Sequence, residues 1–223
     1  DIMKKYFTKG ETALWCSSVV LIVASFLMFD RANYMTLIAS VIGVTSLIFC
    51  AKGNPAGQIL MIIFSLLYSV ISYSFAYFGE MVTYLGMTLP MAIFALISWL
   101  RHPYKGNRSQ VQVSGVSKRE QIFMWGLTAA VTVVFYFILK HFDTTNLLPS
   151  TVSVTTSFLA AYLTYMRSPF YALAYAANDA VLIALWVLTA AALALAAFSG
   201  WKQKTSGLSF AAHGPVFLGH GLL

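Results

Sequence analysis

The chain has 223 residues, of which 59% are hydrophobic and only 9% charged, with a net charge of +7. A soluble globular domain carries about a quarter charged residues, so this composition excludes an ordinary water-soluble enzyme and points to a chain solvated by lipid. At about 20 residues per crossing, the length admits roughly eight membrane spans and leaves no room for a separate soluble domain.

In chain order, Lys4, Lys5 and Lys9 precede an apolar run from Ala13 to Phe29. That run is long for a signal peptide and no small-x-small site follows, so it reads as a retained first helix. Apolar runs then predict spans over 12–29, 33–51, 56–78, 82–100, 121–141, 149–166 and 169–198. The one substantial loop is 101–120, with Arg101, His102, Pro103, Lys105, Gly106, Asn107 and Arg108. Beyond Lys202 and Lys204 the stretch 207–223 is apolar but carries His213, Pro215, His220 and four glycines, which leaves an eighth span open. Cys16 and Cys50 lie in or at the end of apolar runs without a spacing partner, which suits buried thiols.

The basic residues orient these spans. With the N-terminus in the cytoplasm, Lys4, Lys5, Lys9, Lys52, Arg101, Lys105, Arg108, Lys118, Arg119 and Arg167 share that side, against Arg31, Lys140, Lys202 and Lys204. This bias predicts a cytoplasmic N-terminus, and basic residues placed in loops argue for membrane orientation and against nucleic-acid binding.

An internal repeat is also readable. Asn54-Pro55 and Ser168-Pro169 each join two apolar runs, each just after a cation, Lys52 or Arg167. A capping residue followed by proline is a sound helix start. Four spans separate the two junctions, so the copies run in parallel. The expected fold is all-α and membrane-integral: two three-helix bundles (33–100 and 149–223) joined by the linker helix 121–141, with 12–29 as an extra N-terminal helix. The third helix of the second bundle falls near 195–214.

Polar residues at membrane depth mark function by default. Asn178 and Asp179 lie about 15 Å along their helix from Pro169, near mid-bilayer. Tyr171, Tyr175, Asp179 and Trp186 make one stripe, a carboxylate with aromatic rings suited to a cationic or aromatic ring. Asp179 can equally serve as structural glue between helices, and Trp186 as an interfacial belt residue. In the first copy Gln58, Ser65 and Ser72 share a face, with Tyr68, Ser69 and Tyr73 nearby; small serines also suit close packing. Shifting by the interval between the prolines sets Ser65 opposite Asp179 and Ser72 opposite Trp186. Tyr84 and Thr88 can line the same cavity, Pro90 bends their helix, and Glu80 reads as a solvated helix-end residue. Trp99 and Trp125 read as belt residues. No histidine spacing suits a metal, no nucleophile–base pair occurs, and no cofactor motif is present.

At Ala51-Lys-Gly-Asn54, Tyr77-Phe-Gly-Glu80-Met81 and the Trp-bearing helix after Arg167, the chain resembles the PnuC family of bacterial vitamin transporters, over roughly residues 33–190. That family is similar in architecture to the SWEET sugar transporters. The resemblance implies uptake of nicotinamide riboside across the bacterial inner membrane by facilitated diffusion, without ion coupling and trapped by cytoplasmic phosphorylation. Close relatives take thiamine or riboflavin. It implies substrate contacts from Asn178 and Trp186, then Tyr68 and Tyr84. One departure stands out: the family's closing helix bears an Asn-Asp-x-Tyr-Gly-Phe-type segment, whereas Leu195–Gly214 carries Gly200, Lys202 and Lys204. The expected partners are the small-molecule substrate and membrane lipids, with homo-oligomerisation and proton coupling through Asp179 left open. The competing readings are a membrane-embedded enzyme acting on a lipid-phase substrate, or a scaffold subunit.

Overall fold

The structure, a computed structural model, describes residues 7–29, 31–144 and 146–205. In chain order it has α1 (Lys9–Phe29), α2 (Tyr34–Ala51), α3 (Ala56–Ser74), and α4 (Phe78–Thr83) running through a π turn (Tyr84–Thr88) into α5 (Leu89–Arg101). A hairpin, β1 (Pro103–Tyr104) and β2 (Asn107–Val111), precedes α6 (Lys118–His141), α7 (Leu147–Tyr165) and α8 (Tyr171–Thr205). Among the described residues six helical segments are long and apolar enough to cross a membrane: α1, α2, α3, α4–α5 together, α6 and α7. The described apolar part of α8 is Tyr171–Leu185.

The helix starts follow from their capping residues. Thr8 and Glu11 cap α1 reciprocally, and Ser117 and Glu120 do the same for α6. Asn33 caps α2 by accepting from the Thr36 amide at 3.3 Å. Glu11 also pairs with Lys52 at 2.8 Å, tying the start of α1 to the α2–α3 junction. Otherwise α1 is peripheral: it buries no residue and bonds α2 through Trp15 Nε1–H to Thr45 Oγ1 at 3.1 Å. Cys16 on this helix is exposed, a correction to its reading as a buried thiol; Cys50 is buried.

The two proline junctions share one hydrogen-bond scheme. After α2, Gly53 N donates to Cys50 O and Asn54 N to Phe49 O; after α7, Arg167 N donates to Thr164 O and Ser168 N to Leu163 O. Gly53 and Arg167 both adopt the left-handed conformation, with φ of +66° and +59°. Asn54 Oδ1 then accepts from the Ala56 amide at 2.9 Å, and Ser168 Oγ from the Phe170 amide at 3.3 Å. This is the same Schellman ending followed by the same cap, repeated residue for residue.

Close approach of helices rests on small residues. A Cβ on Gly57 would lie 2.6 Å from the Cys50 backbone nitrogen and 2.9 Å from Ser46 O. Ser46 Oγ donates to the Gly57 carbonyl across that contact. A core of Met87, Met124, Phe135, Leu139, Val154, Phe158, Tyr162 and Leu163 packs the π turn against α6 and α7. Exposed large apolar side chains such as Ile122, Val133, Phe137 and Leu148 coat the outside, as lipid requires.

Three expectations need correction. The loop 101–120 contains a two-residue hairpin turn, Lys105-Gly106, with φ of +47° and +77°, so the described chain is helical save for this ribbon. No new helix starts at 195: residues 195–205 continue α8, because the run Ala190–Phe198 is almost wholly alanine and leucine, and Gly200 alone does not stop it. The expected segment 206–214 and the eighth span over 207–223 lie outside the described residues. Trp99 is no belt residue; it is 2% exposed and donates Nε1–H to Thr164 O at 2.9 Å. Trp125, near the start of α6, is 58% exposed.

Candidate substrate site

A cavity of about 320 Å³ is enclosed by α3, α4, the π turn, α6, α7 and α8. The π turn explains two of its walls. Pro90 has no amide hydrogen for the carbonyl four residues earlier, and just upstream Leu89 N bonds Tyr84 O five residues back. Thr88 Oγ1 covers Thr83 O at 3.4 Å. The widened turn carries Tyr84 and Thr88 into the cavity lining.

Opposite them α3 supplies Tyr68. The Tyr68 and Tyr84 rings lie 4.7 Å apart, and Phe64 contacts both at 5.3 Å and 5.9 Å. Phe64 is itself wedged against Gly43 of α2, where a Cβ would come within 3.1 Å of its ring. The aromatic wall is therefore fixed from behind.

The polar wall comes from α7 and α8. Asn178 is 7% exposed, and its Oδ1 accepts from Thr156 Oγ1 at 2.8 Å, Ser157 Oγ at 2.9 Å and Ser153 Oγ at 3.5 Å. Three hydroxyls thus orient one end of the Asn178 amide, and the other end stays available to the cavity. Ser150, Ser153 and Ser157 line the same wall, with Thr83 and Thr144 nearer the end where Gly79 packs on Thr144. Among the described residues Glu80 is the only charged one in the lining, with no lysine or arginine. Ser72, buried on α3, sits beside the Glu80 carboxyl without a hydrogen bond of normal geometry.

A second cavity of about 230 Å³ opens toward the end of the bundle that holds Lys52 and Arg167. Gln58, Tyr171, Tyr175 and Asp179 line it, and Gln58 Nε2 donates to Cys50 Sγ at 3.4 Å. Tyr171 donates its hydroxyl to Cys50 O at 3.1 Å, closing this end between α8 and α2.

The residues singled out from sequence therefore divide. Tyr68, Tyr84, Thr88 and Asn178 meet in the first cavity; Gln58, Tyr175 and Asp179 line the second; Ser72 backs the first near Glu80. The Trp186 side chain lies outside the described residues. Ser65 and Ser69 turn their hydroxyls to Met61 O and Ser65 O on their own helix, which makes them packing residues. Sequence reasoning missed Ser150, Ser153 and Ser157, whose spacing of three, four and seven marks one helical face. Glu80 is exposed, as a solvated helix end should be, and it also lines the first cavity.

With this geometry in view, the chain was compared with known proteins. The family model described as nicotinamide mononucleotide transporter matches residues 33–202. The nicotinamide riboside transporter PnuC of Neisseria mucosa is 24% identical over 158 residues, 70% of this chain and 60% of that relative. The matched stretch therefore spans about three-fifths of the curated relative's length. The crystal structure of the vitamin B3 transporter PnuC superposes with a TM-score of 0.68 at 21% identity, covering 82% of this chain and 78% of that one. That is a likeness of fold.

Proposed function

The chain belongs to the nicotinamide mononucleotide transporter family, and we propose that it carries nicotinamide riboside across the membrane, with the first cavity as its binding site. The observation that carries this reading is the charge of the cavity lining. Among the described residues it holds one carboxylate, Glu80, paired tyrosine rings and no cation. A cationic pyridinium suits those rings and that carboxylate. A phosphorylated nucleotide would bring a phosphate dianion beside Glu80 with no guanidinium or ammonium to receive it. The nucleoside is favoured over the nucleotide on that ground. The substrate's carboxamide, donor and acceptor together, suits the free end of the Asn178 amide whichever way that amide is turned. Trp186 remains a proposed contact from the resemblance, and Asp179, Tyr175 and Gln58 form the wall through which the ligand would leave.

Further parts of the reading are proposed on the same footing. The repeated junctions support a 3+1+3 parallel repeat, with α6 as linker and α1 added outside. The gathering of Lys52, Arg101 and Arg167 at one end supports placing that end in the cytoplasm of a bacterial cell. Transport on this reading is by facilitated diffusion, with later phosphorylation making uptake one-way; proton coupling through Asp179, in the second cavity, is the competing route. Thiamine or riboflavin is the alternative cargo.

The test is calorimetric binding of nicotinamide riboside, its 5′-phosphate, thiamine and riboflavin to the purified protein, with Asn178→Ala alongside. Nicotinamide riboside is expected to bind best. Losing a buried amide's hydrogen bonds should cost about 1–3 kcal/mol, roughly five- to 150-fold in affinity. Equal or tighter binding of the phosphate, or no change in Asn178→Ala, would refute the site as drawn.

A further inference from the structure

At the end of the bundle assigned above to the cytoplasm lies a third cavity, of about 540 Å³. It sits on the outer side of the Tyr171–Cys50 hydrogen bond, between the two proline junctions and the hairpin. Its character is opposite to that of the substrate cavity. Lys52 and Arg167 line it, with Gln110, Gln112, Tyr104 and Ser168, and among the described residues no carboxylate does.

Arg167 bears two costs here. Its backbone is left-handed, at φ +59°, where the first copy of the junction has Gly53. Any Cβ disfavours that conformation, and glycine is the residue that avoids the penalty. Its Nε is buried with no hydrogen-bond partner. A guanidinium N–H taken out of water without an acceptor is unfavourable, and an anion in the cleft would remove that penalty. Lys52 adds positive potential, although its Nζ is paired with Glu11 at 2.8 Å.

We propose that this cleft binds a phosphate group, with Arg167 as its principal donor. Neutral donors line the same cleft: Tyr104, Gln110 and Gln112 of the hairpin region and Ser168 of the second junction. That arrangement suits a tetrahedral oxyanion more than a planar carboxylate, which a single arginine fork would saturate. The phosphate comes either from a soluble monoester or from the headgroup of an anionic phospholipid at the membrane surface.

The experiment follows the thermal unfolding midpoint of the full chain in two arms. One arm adds inorganic phosphate to protein in neutral detergent, against chloride at equal ionic strength. The other compares phosphatidylcholine bilayers with and without phosphatidylglycerol. The variants are Arg167→Gly, which removes the charge and also relaxes the backbone, Arg167→Asn, which tolerates the left-handed conformation, and Arg101→Ala as a cation outside the cleft. Binding to the folded state alone raises the midpoint by a few degrees. A rise with inorganic phosphate that vanishes in both Arg167 variants and persists in Arg101→Ala supports the site with a soluble ligand. A rise with phosphatidylglycerol only, under the same pattern, supports it with a lipid headgroup. No rise in either arm, or a rise that survives loss of Arg167, overturns the proposal. None of these outcomes depends on nicotinamide riboside.

Discussion

Glu80 illustrates how much a single residue's meaning depends on what faces it. In sequence it follows Gly79 at a helix end, where a carboxylate is ordinarily solvated. In the fold it stays exposed, and among the described residues it is the one charge on the wall of a cavity otherwise lined by hydroxyls, an amide, tyrosines and apolar side chains. Glu80→Gln should weaken nicotinamide riboside binding about fivefold, the scale of a partly solvated ion pair of about 1 kcal/mol, with the loss shrinking at high salt. Titrations at two ionic strengths check this, and unchanged affinity at low salt would remove Glu80 from the site. Asn178 was legible in advance because an amide at mid-bilayer is expensive unless it serves something. Trp99 was misread for a complementary reason. Tryptophans near span ends are on average belt residues, and only the placement of α7 reveals the Thr164 carbonyl that takes its indole N–H.

Helices and turns were unevenly legible. Lipid compels every spanning segment to satisfy its own backbone, so apolar length alone located α1 to α7 within a few residues. The hairpin inside 101–120 was missed because a seven-residue ribbon leaves too short an alternation to detect, and its Lys-Gly turn is only a weak form of the usual signal. Pro90 was expected to bend its helix, and it does more: the π turn before it sets both Tyr84 and Thr88 in the cavity wall. The α2–α3 contact makes a separate prediction. Gly57→Ala should destabilise the folded protein by about 1–3 kcal/mol, since its new methyl meets backbone atoms that have little freedom to move. Gly126→Ala on α6, where a Cβ meets nothing within 4 Å, should be neutral or slightly stabilising. Denaturation of both variants side by side separates close packing from simple helix propensity.

Across the molecule, the bonds between the two halves gather at the end that carries the basic residues. Ser98 Oγ donates to Tyr165 O, Trp99 Nε1–H to Thr164 O, and Tyr171 to Cys50 O. The segment after β1 adds two more. Val111 N donates to Gly53 O at 2.9 Å and Ser114 N to Arg167 O at 3.0 Å. Four residues of loop thus bond the left-handed position of each proline junction. Movement of one half against the other at this end must break one bond of that pair or carry the loop along. The Val111 and Ser114 amides are therefore natural clocks for the opening of this end. Their deuterium uptake should be slow and matched in the resting protein, and faster at one of the two whenever a ligand draws the halves apart. Uptake at Ser114 far ahead of Val111 would mean that the loop travels with the first half, leaving the second free to swing; the reverse order would mean that it travels with the second.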